Sequence, residues 1–454
     1  MAKNRETFGS RFAVIVALAG SAIGLGNIWR FPYTVGEGGG AAFILLYLFF
    51  SFCFSLPIFM VESIIGRRSG ANCLGAVKKL SSGKIWRLLG VLSIITPLII
   101  VSYYSVVGGW SIEFFLKSCS LSFLNADPES VSGIFGSFTS SFWGPTICFT
   151  AFLAATCLIV AGGVKKGIER FSKFCIPVLF VMIVLIMIFS LSLPGAKAGV
   201  DYLLKPDFSK LDFSACASAL GQSFYSLSLG MGIIITYGSY VRKDEDILVT
   251  SAGTAISDLL FALLAGLAIM PAVFAAGIEP GAGPGLIFQS IPYIFSRIGE
   301  TAPVISTIMS VLFFLTIIVA AMTSCISLIE VGVAYAVEHF KLKRLTACLI
   351  LFLICGSLGV ISSLSFGPLE NVKVLGRSFF DLFDWICSNI LLLVMAFLAV
   401  VFVGFVLGKD AFRDEITNSG SRRIGGWLFE TIFFLVKWVA PVAVVLIFIT
   451  NFIL

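Results

Sequence analysis

The stretch Gly20–Pro32, which reads GSAIGLGNIWRFP, is the feature that most constrains the fold. It continues an apolar run of helical length, yet it contains three glycines, an asparagine, an arginine and a proline. Each glycine weakens a helix interior by about 1 kcal/mol relative to alanine, and proline removes a backbone donor. In a bilayer, a freed backbone group costs several kcal/mol unless protein, ion or water satisfies it. We therefore expect an interrupted membrane helix beside a lined cavity.

The composition is that of an integral membrane protein. Hydrophobic residues make up 58% of the chain and charged residues 12%, and the mean hydropathy is +1.03. Apolar runs of about 20 residues, the length that crosses a bilayer, recur throughout. The lengths of these runs and the charged residues between them predict an all-α integral membrane protein, with residues 1–454 forming one transmembrane domain of eleven helices. The predicted spans are 11–36, 41–66, 87–117, 143–161, 167–192, 213–240, 248–276, 303–338, 344–362, 374–407 and 426–453.

The basic residues predict the orientation. Most of the 31 Lys and Arg residues fall in the segments 3–11, 67–87, 165–173, 242–243, 341–344 and 409–423, which alternate between the spans. The positive-inside rule then predicts a multi-pass protein of the inner (plasma) membrane, with a cytoplasmic N-terminus and an external C-terminus. The net charge of +6 follows this topology and does not favour a nucleic-acid partner.

Enzyme chemistry is not favoured by the polar residues. Eleven cysteines form no CxxC motif, and His339 is the single histidine. Membrane cysteines of this kind are usually small packing residues. No nucleophile–base or metal-ligand constellation is visible, so we predict that the protein is not an enzyme and has no organic cofactor.

A second interrupted segment, Gly221–Gly232, opens the sixth span with the sequence GQSFYSLSLGMG. Five spans separate its start from the first interruption, and an odd number reverses the direction of crossing. This predicts two inverted five-helix repeats, about 11–192 and 213–407, with discontinuous first and sixth helices and one extra helix at 426–453. One glycine cluster also fits close helix packing, but matched interruptions favour a binding site at the midplane.

Several further motifs resemble those of the neurotransmitter:sodium symporter family, particularly bacterial amino-acid transporters of an eleven-helix subgroup. Besides Gly20–Pro32 they are Glu37–Gly40, Glu62 with Gly66–Arg67, Tyr103–Tyr104, Ser226–Gly232, Tyr240–Asp244, Thr323–Ser324 and Asp381–Asp384. The resemblance covers nearly the whole chain. It implies a sodium-coupled symporter that imports hydrophobic L-amino acids, including bulky or aromatic ones, by alternating access. The alternative is a membrane receptor that senses amino acids with little transport.

The resemblance implies two Na⁺ sites. The first would lie between the Ala22 carbonyl and the side chains of Asn27, Ser226 and Asp258. The second would use backbone carbonyls and two hydroxyls, from Gly20, Ile23, Ala320, Thr323 and Ser324. For Thr323 and Ser324 the alternative is hydrogen bonding to their own helix, which is common for hydroxyls in membrane helices.

Asp258 bears on chloride dependence. Relatives that need chloride have a serine one helical turn further on, where this chain has Ala262, although Tyr47, Gln222 and Ser226 match the other chloride ligands. A carboxylate in an apolar span costs at least about 2.5 kcal/mol unless it is paired. We therefore expect Asp258 to supply the negative charge, transport to be independent of chloride, and Asp258 to take up a proton when the ions leave.

Gly24 stands where amine-transporting relatives have an aspartate. Because glycine has no side chain, it leaves room for a substrate carboxylate beside the N–H groups of Leu25 and Gly26 and the Tyr104 hydroxyl. The predicted substrate site comprises Ala22, Leu25, Gly26, Ile100, Tyr104, Tyr225, Ser226, Ser228, Met231, Ser324, Ser327 and Leu328. Met231 is flexible and suits large hydrophobic side chains. For Ile100 and Leu328, simple helix packing is the alternative.

Two gates complete the resemblance. Outside, Arg30 would pair with Asp384, with Tyr104 and Tyr225 forming a lid over the substrate. Inside, the expected pair is Arg5 with Glu338, near Ser239 and Tyr240. In the fifth helix, Gly167 and Pro177 match a subgroup motif for local unwinding that would admit water to the second sodium site.

Overall fold

The computed structural model describes residues 6–124, 126–277 and 286–453, and every regular element within these ranges is helical. The N-terminal half holds a broken helix α1 and four long helices, and the C-terminal half repeats that order. The long helices are α1 (Arg11–Ala22 and Gly26–Glu37), α2 (Ala41–Ser69), α3 (Lys84–Cys119), α4 (Trp143–Ala161), α5 (Val164–Leu191), α6 (Phe213–Ser226 and Ile233–Gly238), α7 (Ile247–Ala275), α8 (Pro303–His339), α9 (Arg344–Leu364), α10 (Phe379–Ile416) and α11 (Gly426–Asn451).

Most of these helices are long and apolar enough to cross a membrane. In the described residues nine qualify by length and composition, and the two segments of α1, bent by 55°, could together form a tenth. The two parts of α6 have 14 and 6 residues, and neither is long enough alone. The chain is therefore an all-helical protein with many membrane-spanning segments.

The predicted span 374–407 begins before α10 does, and it ends at the residue before α10 changes direction. Val374 and Arg377 pair across a tight turn in which Leu375 and Gly376 have positive φ, so the helix begins only at Phe379. The Ser378 hydroxyl caps it by accepting from the Asp381 N–H at 3.2 Å. At the other end the helix changes direction at Gly408 (φ +79°) and continues to Ile416 instead of ending at 407.

The broken helix α1 lies at the centre of the bundle, where it packs against α5, α7 and α8. Around this centre, α3 packs along α8 and also contacts α4 and α9. The α1 segment Arg11–Ala22 is almost wholly buried from Ala13 onward. Because α1 and α6 meet inside this packed bundle, the interrupted backbone of each is kept away from lipid.

Shorter helices cover the end of the bundle where α3 reaches Cys119. They are Pro128–Ser140, Ala196–Leu204 and Ile291–Gly299, the last preceded by the helical turn Leu286–Ser290. Phe288 of that turn contacts the rings of Trp110 and Phe114 of α3, with ring centroids 5.7 and 5.2 Å apart. The connection between α7 and α8 thus contains a helix that packs on α3, and residues 278–285 of it lie outside the described ranges.

Candidate functional site

The first interruption lies where the sequence predicted it. The helix ends at Ala22, Ile23 is extended (φ −70°, ψ 103°), and helical geometry resumes at Gly26. Side chains satisfy the freed N–H groups: Gly24 donates to Asn27 Oδ1 (3.2 Å) and Leu25 donates to the Tyr104 hydroxyl (3.2 Å). The backbone groups of the break thus have defined partners: the Gly24 carbonyl accepts from the Asn27 N–H, and the Ile23 carbonyl faces Thr323 of α8.

The second interruption runs from Leu227 to Gly232. Ser228, Gly230 and Gly232 have φ of +54°, +72° and +69°, a region that L residues other than glycine rarely adopt. At Gly230 a Cβ would also lie 2.3 Å from the Leu392 carbonyl oxygen, so only glycine fits. The Gly230 N–H donates to Glu62 at 2.7 Å, and the Ser228 hydroxyl donates to the Ser21 carbonyl at 2.8 Å. The two breaks therefore contact each other directly.

Asn27, Tyr47, Ser226 and Asp258 form what we call the acidic cluster. The two carboxylate oxygens of Asp258 accept from Asn27 Nδ2 and from the Ser226 hydroxyl, each at 2.7 Å. The Tyr47 hydroxyl donates to Ser226 Oγ at 3.1 Å. All four side chains are buried. Such a group of oxygens around one negative charge, at the edge of an unwound helix, suits a hard monovalent cation.

Thr323 and Ser324 of α8, with the carbonyls of Ser21, Ile23 and Ala320, form what we call the hydroxyl cluster. Thr323 Oγ1 lies 3.3 Å from the Ile23 carbonyl and 2.9 Å from the Ala320 carbonyl of its own helix. Ser324 Oγ lies 3.3 Å from the Ser21 carbonyl. Thr323 thus makes the back-bond considered as the alternative and also faces the break. Gly20 lies beside Ile176 and Ser172 of α5.

A small cavity of about 30 Å³ lies between the two breaks. Most of the predicted substrate residues line it, together with Ser21, Gly24 and Ile233: Ala22, Gly26, Ile100, Tyr104, Tyr225, Ser226, Ser228, Met231, Ser324 and Leu328. Leu25 is absent from the wall but donates its N–H to Tyr104. Ser327 does not line the cavity: its hydroxyl accepts from Tyr237 at 2.9 Å and donates to the Thr323 carbonyl, so its part in the substrate site stays a prediction.

Ser21 and Ile233 were missed by the sequence analysis. Ser21 contributes its carbonyl, which accepts from both Ser228 and Ser324, and a backbone role leaves no mark in the side-chain pattern. Ile233 directly follows the last glycine of the second break, so its place at the restart of α6 was the available signal.

Gly24 controls the polar end of this cavity. A Cβ at residue 24 would lie 2.4 Å from Ser324 Oγ and 3.0 Å from the Tyr104 hydroxyl. Contacts under 3.0 Å force a neighbour to move, so a side chain at residue 24 would displace Ser324 from the backbone of the break. That a glycine here makes room for a substrate carboxylate stays a prediction.

The described residues show no ion pair between Arg30 and Asp384 within 4.0 Å, so the predicted outer pair is not formed in this conformation. The Arg30 guanidinium lies over the Tyr225 ring, 4.6 Å from its centroid. Asp384 instead accepts from the Ser388 hydroxyl one turn along α10, at 3.2 Å. Tyr225 lies directly against Gly26: a Cβ added at this glycine would be 3.2 Å from the tyrosine ring. Tyr225 therefore covers the break from the Arg30 side.

The predicted inner gate includes Arg5, which lies outside the described residues, so its pairing with Glu338 stays a prediction. Glu338 accepts from both the backbone and the side-chain nitrogen of Asn72 at 2.8 Å. Ser239 donates to the Thr236 carbonyl. The Tyr240 hydroxyl donates to Glu330 at 2.7 Å, and Glu330 forms a buried ion pair with Arg344. Phe8 packs against Tyr237 and Tyr240, and its N–H donates to the Tyr240 carbonyl at 3.1 Å.

The start of α5 holds the N-terminal segment. Residues Val164–Glu169 form a wide turn, and at Gly167 a Cβ would lie 2.0 Å from the Ile159 carbonyl oxygen. Glu169 accepts from the Gly9 N–H at 2.9 Å, and Pro177 lies inside the helix. Wide turns of this kind often mark functional positions in helices. The unwinding motif predicted at Gly167 and Pro177 therefore lies against the segment that leads into α1.

Gln222 is an unusual residue beside the acidic cluster. It precedes Ser226 by one turn of α6, and its side chain is fully buried. Among the described residues neither amide atom has a hydrogen-bond partner. Most buried polar atoms are hydrogen-bonded, so this amide is a place where a polar ligand or water would be stabilised. Ala262 is likewise buried and offers no hydroxyl.

Two broken helices that meet inside a bundle of membrane-length helices, with oxygen-rich clusters on either side of a small cavity, define the architecture of a membrane transporter for ions and small solutes. Comparison with known families gives the same class. The sequence pattern described as the sodium:neurotransmitter symporter family matches residues 5–127 and 139–454. The chain belongs to this family.

Individual relatives extend the comparison. A sodium-dependent transporter of Bacillus subtilis (strain 168), YhdH, is 35% identical over 97% of this chain and 96% of its own length. The sodium- and chloride-dependent taurine transporter of Bos taurus is 27% identical over 93% of this chain and 75% of its own. The crystal structure of MhsT in complex with L-phenylalanine matches with a TM-score of 0.89 and 38% identity, covering 99% of this chain and all of that one.

Proposed function

We propose that the protein is a sodium-coupled symporter that imports hydrophobic L-amino acids, including bulky or aromatic ones, by alternating access. Its eleven membrane helices form two inverted repeats, 11–192 and 213–407, and one further helix, 426–453. It lies in the plasma membrane with its N-terminus in the cytoplasm. The observation that carries the proposal is the cavity between the two breaks, with an oxygen-rich cluster on each side of α1.

The cavity has one polar and one apolar end. The substrate carboxylate binds near the N–H groups of Leu25 and Gly26 and the Tyr104 hydroxyl, where the segment restarting at Gly26 favours an anion. The side chain of the substrate lies against Ile100, Met231 and Leu328, all apolar. The L-phenylalanine bound to MhsT, at 38% identity, supports a substrate of this size and polarity. Such a substrate must widen the 30 Å³ cavity, which the flexible Met231 assists.

Two sodium ions travel with the substrate. The acidic cluster takes the first, with oxygens from Asn27, Ser226 and Asp258 and the carbonyl of Ala22. The hydroxyl cluster takes the second, with Thr323, Ser324 and the carbonyls of Gly20, Ile23 and Ala320. Sodium binding would replace the contacts of Asn27 and Ser226 to Asp258 with ion contacts, which links ion binding to the position of the broken helix.

Asp258 supplies the negative charge that relatives such as the chloride-dependent taurine transporter obtain from chloride. Its carboxylate already accepts from Ser226, a residue that matches a chloride ligand of those relatives. A chloride ion bound beside this carboxylate would add a second negative charge in a low-dielectric site, which is unfavourable. Transport therefore does not require chloride. The unpartnered amide of Gln222 makes this a point to test directly.

Uptake of radiolabelled tryptophan and leucine into proteoliposomes tests the proposal, with an inward sodium gradient and with potassium as the control. We expect accumulation that needs sodium and persists when gluconate replaces chloride. Loss of uptake in gluconate would reject the role of Asp258 but leave symport intact. Tight sodium-dependent binding without accumulation would favour the receptor alternative, and no response to either amino acid would reject the assigned substrate class.

A further inference from the structure

Lys437 lies inside the apolar helix α11, where a charge is costly. It follows Glu430 by seven residues, so its Cα lies about 10 Å further along the helix axis. Glu430 itself pairs with Lys409 and Arg413, and these three half-exposed side chains mark one end of the helix. A lysine well inside a membrane helix is rare and usually has a defined partner.

The contacts of Lys437 in the described part of the chain are two aromatic faces. Its Nζ lies 5.0 Å from the ring centroid of Phe405 and 5.5 Å from that of Trp438. No described acidic side chain lies within 4.0 Å of it. Aromatic faces attract an ammonium but accept no conventional hydrogen bond, so its three donors still need an acceptor.

The acceptor must come from outside the bundle. Phe405, Phe434 and Trp438 around this lysine are 49%, 56% and 55% exposed, so this surface faces lipid. On the inner side, α10 leaves no room for the Lys437 side chain. Gly404 of α10 lies so close that a Cβ added to it would be 3.2 Å from Lys437 Cα. Helical side chains tilt toward the helix N-terminus, which directs Lys437 toward the end marked by Lys409 and Arg413.

We propose that Lys437 binds the phosphate of an anionic phospholipid in the leaflet on the side of Lys409 and Arg413. The lysine stem runs along Phe405 and Trp438, and the ammonium reaches the headgroup level, as long basic side chains near membrane interfaces do. Lys409 and Arg413, which pair with Glu430, place two further basic side chains at this end of the helix, where an anionic headgroup is favoured. An apolar groove lined by Phe54, Phe434, Trp438 and Val442 begins beside it and offers a surface for an acyl chain.

Native mass spectrometry of the full-length protein in neutral detergent tests this, with phosphatidylglycerol and phosphatidylcholine of matched chains added in competition. One basic side chain contributes about fivefold in affinity for an anionic lipid surface. We expect wild-type protein to retain phosphatidylglycerol preferentially, Lys437→Gln to lose about that factor, and Lys437→Arg to keep it. Lys373→Gln, which removes the same charge from an exposed loop, is the matched control and should bind as wild type.

Other outcomes would overturn the proposal. Unchanged lipid preference in a Lys437→Gln protein that keeps its thermal midpoint would mean that water satisfies the ammonium. If the wild type had the mass of a dimer and Lys437→Gln that of a monomer, with the same lipid preference, a second copy of the chain would provide the acceptor. The measurement uses neither sodium nor amino acid, so its failure would leave the proposed symport function untouched.

Discussion

The acidic cluster and the hydroxyl cluster lie on either side of the same broken helix, but they hold their oxygens in different ways. In the acidic cluster one full charge on Asp258 is fixed by hydrogen bonds of 2.7 Å from Asn27 and Ser226. In the hydroxyl cluster every group is neutral, and the contacts of Thr323 and Ser324 to the break are both 3.3 Å. One site is thus ordered by charge and the other only by weak dipolar contacts.

This difference predicts unequal sensitivity to mutation. Hydrogen bonds to charged groups contribute about 1.5–3 kcal/mol, against about 0.5–1.5 kcal/mol for neutral pairs. Removing the charge of the acidic cluster should therefore abolish most sodium-dependent uptake. Single substitutions in the hydroxyl cluster should lower the apparent sodium affinity only moderately. Each neutral oxygen is one of several similar groups there, and the backbone carbonyls remain after any one substitution.

Asp258→Asn should have the largest effect. It removes the charge of the proposed first sodium site and places an amide where Asn27 and Ser226 now donate to a carboxylate. If sodium binding loses about 3 kcal/mol of free energy, uptake at limiting sodium falls by more than about 100-fold. Initial-rate uptake over a sodium series measures it. The matched control is Asp410→Asn, the same change at an exposed position of α10, which should transport as wild type.

A second variant sharpens this result. If Asp258 replaces chloride, adding Ala262→Ser to Asp258→Asn should restore part of the uptake only when chloride is present, because an anion then regains a full set of donors. Restoration in gluconate as well would show that the charge at residue 258 is not the quantity that matters, and the contrast between the two clusters would fail.

Thr323→Val should have a moderate effect. The shape is retained and one neutral oxygen is lost, so the apparent sodium affinity should fall about tenfold while the maximal rate changes little. Thr316→Val is the control on the same helix, because the Thr316 hydroxyl donates to its own helix at Leu312 and does not face the break. Equal effects of the two substitutions would mean that Thr323 only back-bonds to Ala320 and that the hydroxyl cluster is not an ion site.

The sequence predicted the two breaks because their causes are local. Glycine and proline change the backbone wherever they stand, and the runs Gly20–Pro32 and Gly221–Gly232 carry enough of them to interrupt a helix in any surroundings. The place of most cavity residues followed from the same runs and the family resemblance. Ser327 lies outside the cavity wall, with its hydroxyl bonded to Tyr237, and a contact between residues 90 positions apart leaves no local pattern in the sequence.

The gates were harder to predict for a different reason. Arg30 and Asp384 can be recognised as a charge pair, but whether they touch depends on the conformation, and here Arg30 lies over Tyr225. Inside, the contact of Tyr240 with Glu330 and the ion pair of Glu330 with Arg344 join separate helices. No local pattern marks those partners. The start of α10 was placed too early because Val374 and Leu375 extend the apolar run although they lie in an exposed turn.

Tyr47→Phe should have the smallest effect of the three on the sites. It removes a neutral donor to Ser226, a contact of 3.1 Å at the edge of the acidic cluster, and leaves both bonds to Asp258 in place. One neutral hydrogen bond of about 1 kcal/mol corresponds to about a fivefold loss of apparent sodium affinity. Sodium-dependent binding of the labelled amino acid measures it. Tyr335→Phe, on a ring that stacks against His339 at the far end of α8, is the control. A larger loss of sodium affinity in Tyr47→Phe than in Thr323→Val would contradict this order. The acidic cluster would then depend on its whole hydrogen-bond network and not on the charge of Asp258. The difference between the clusters would then be one of connectivity, and chloride independence would need another explanation.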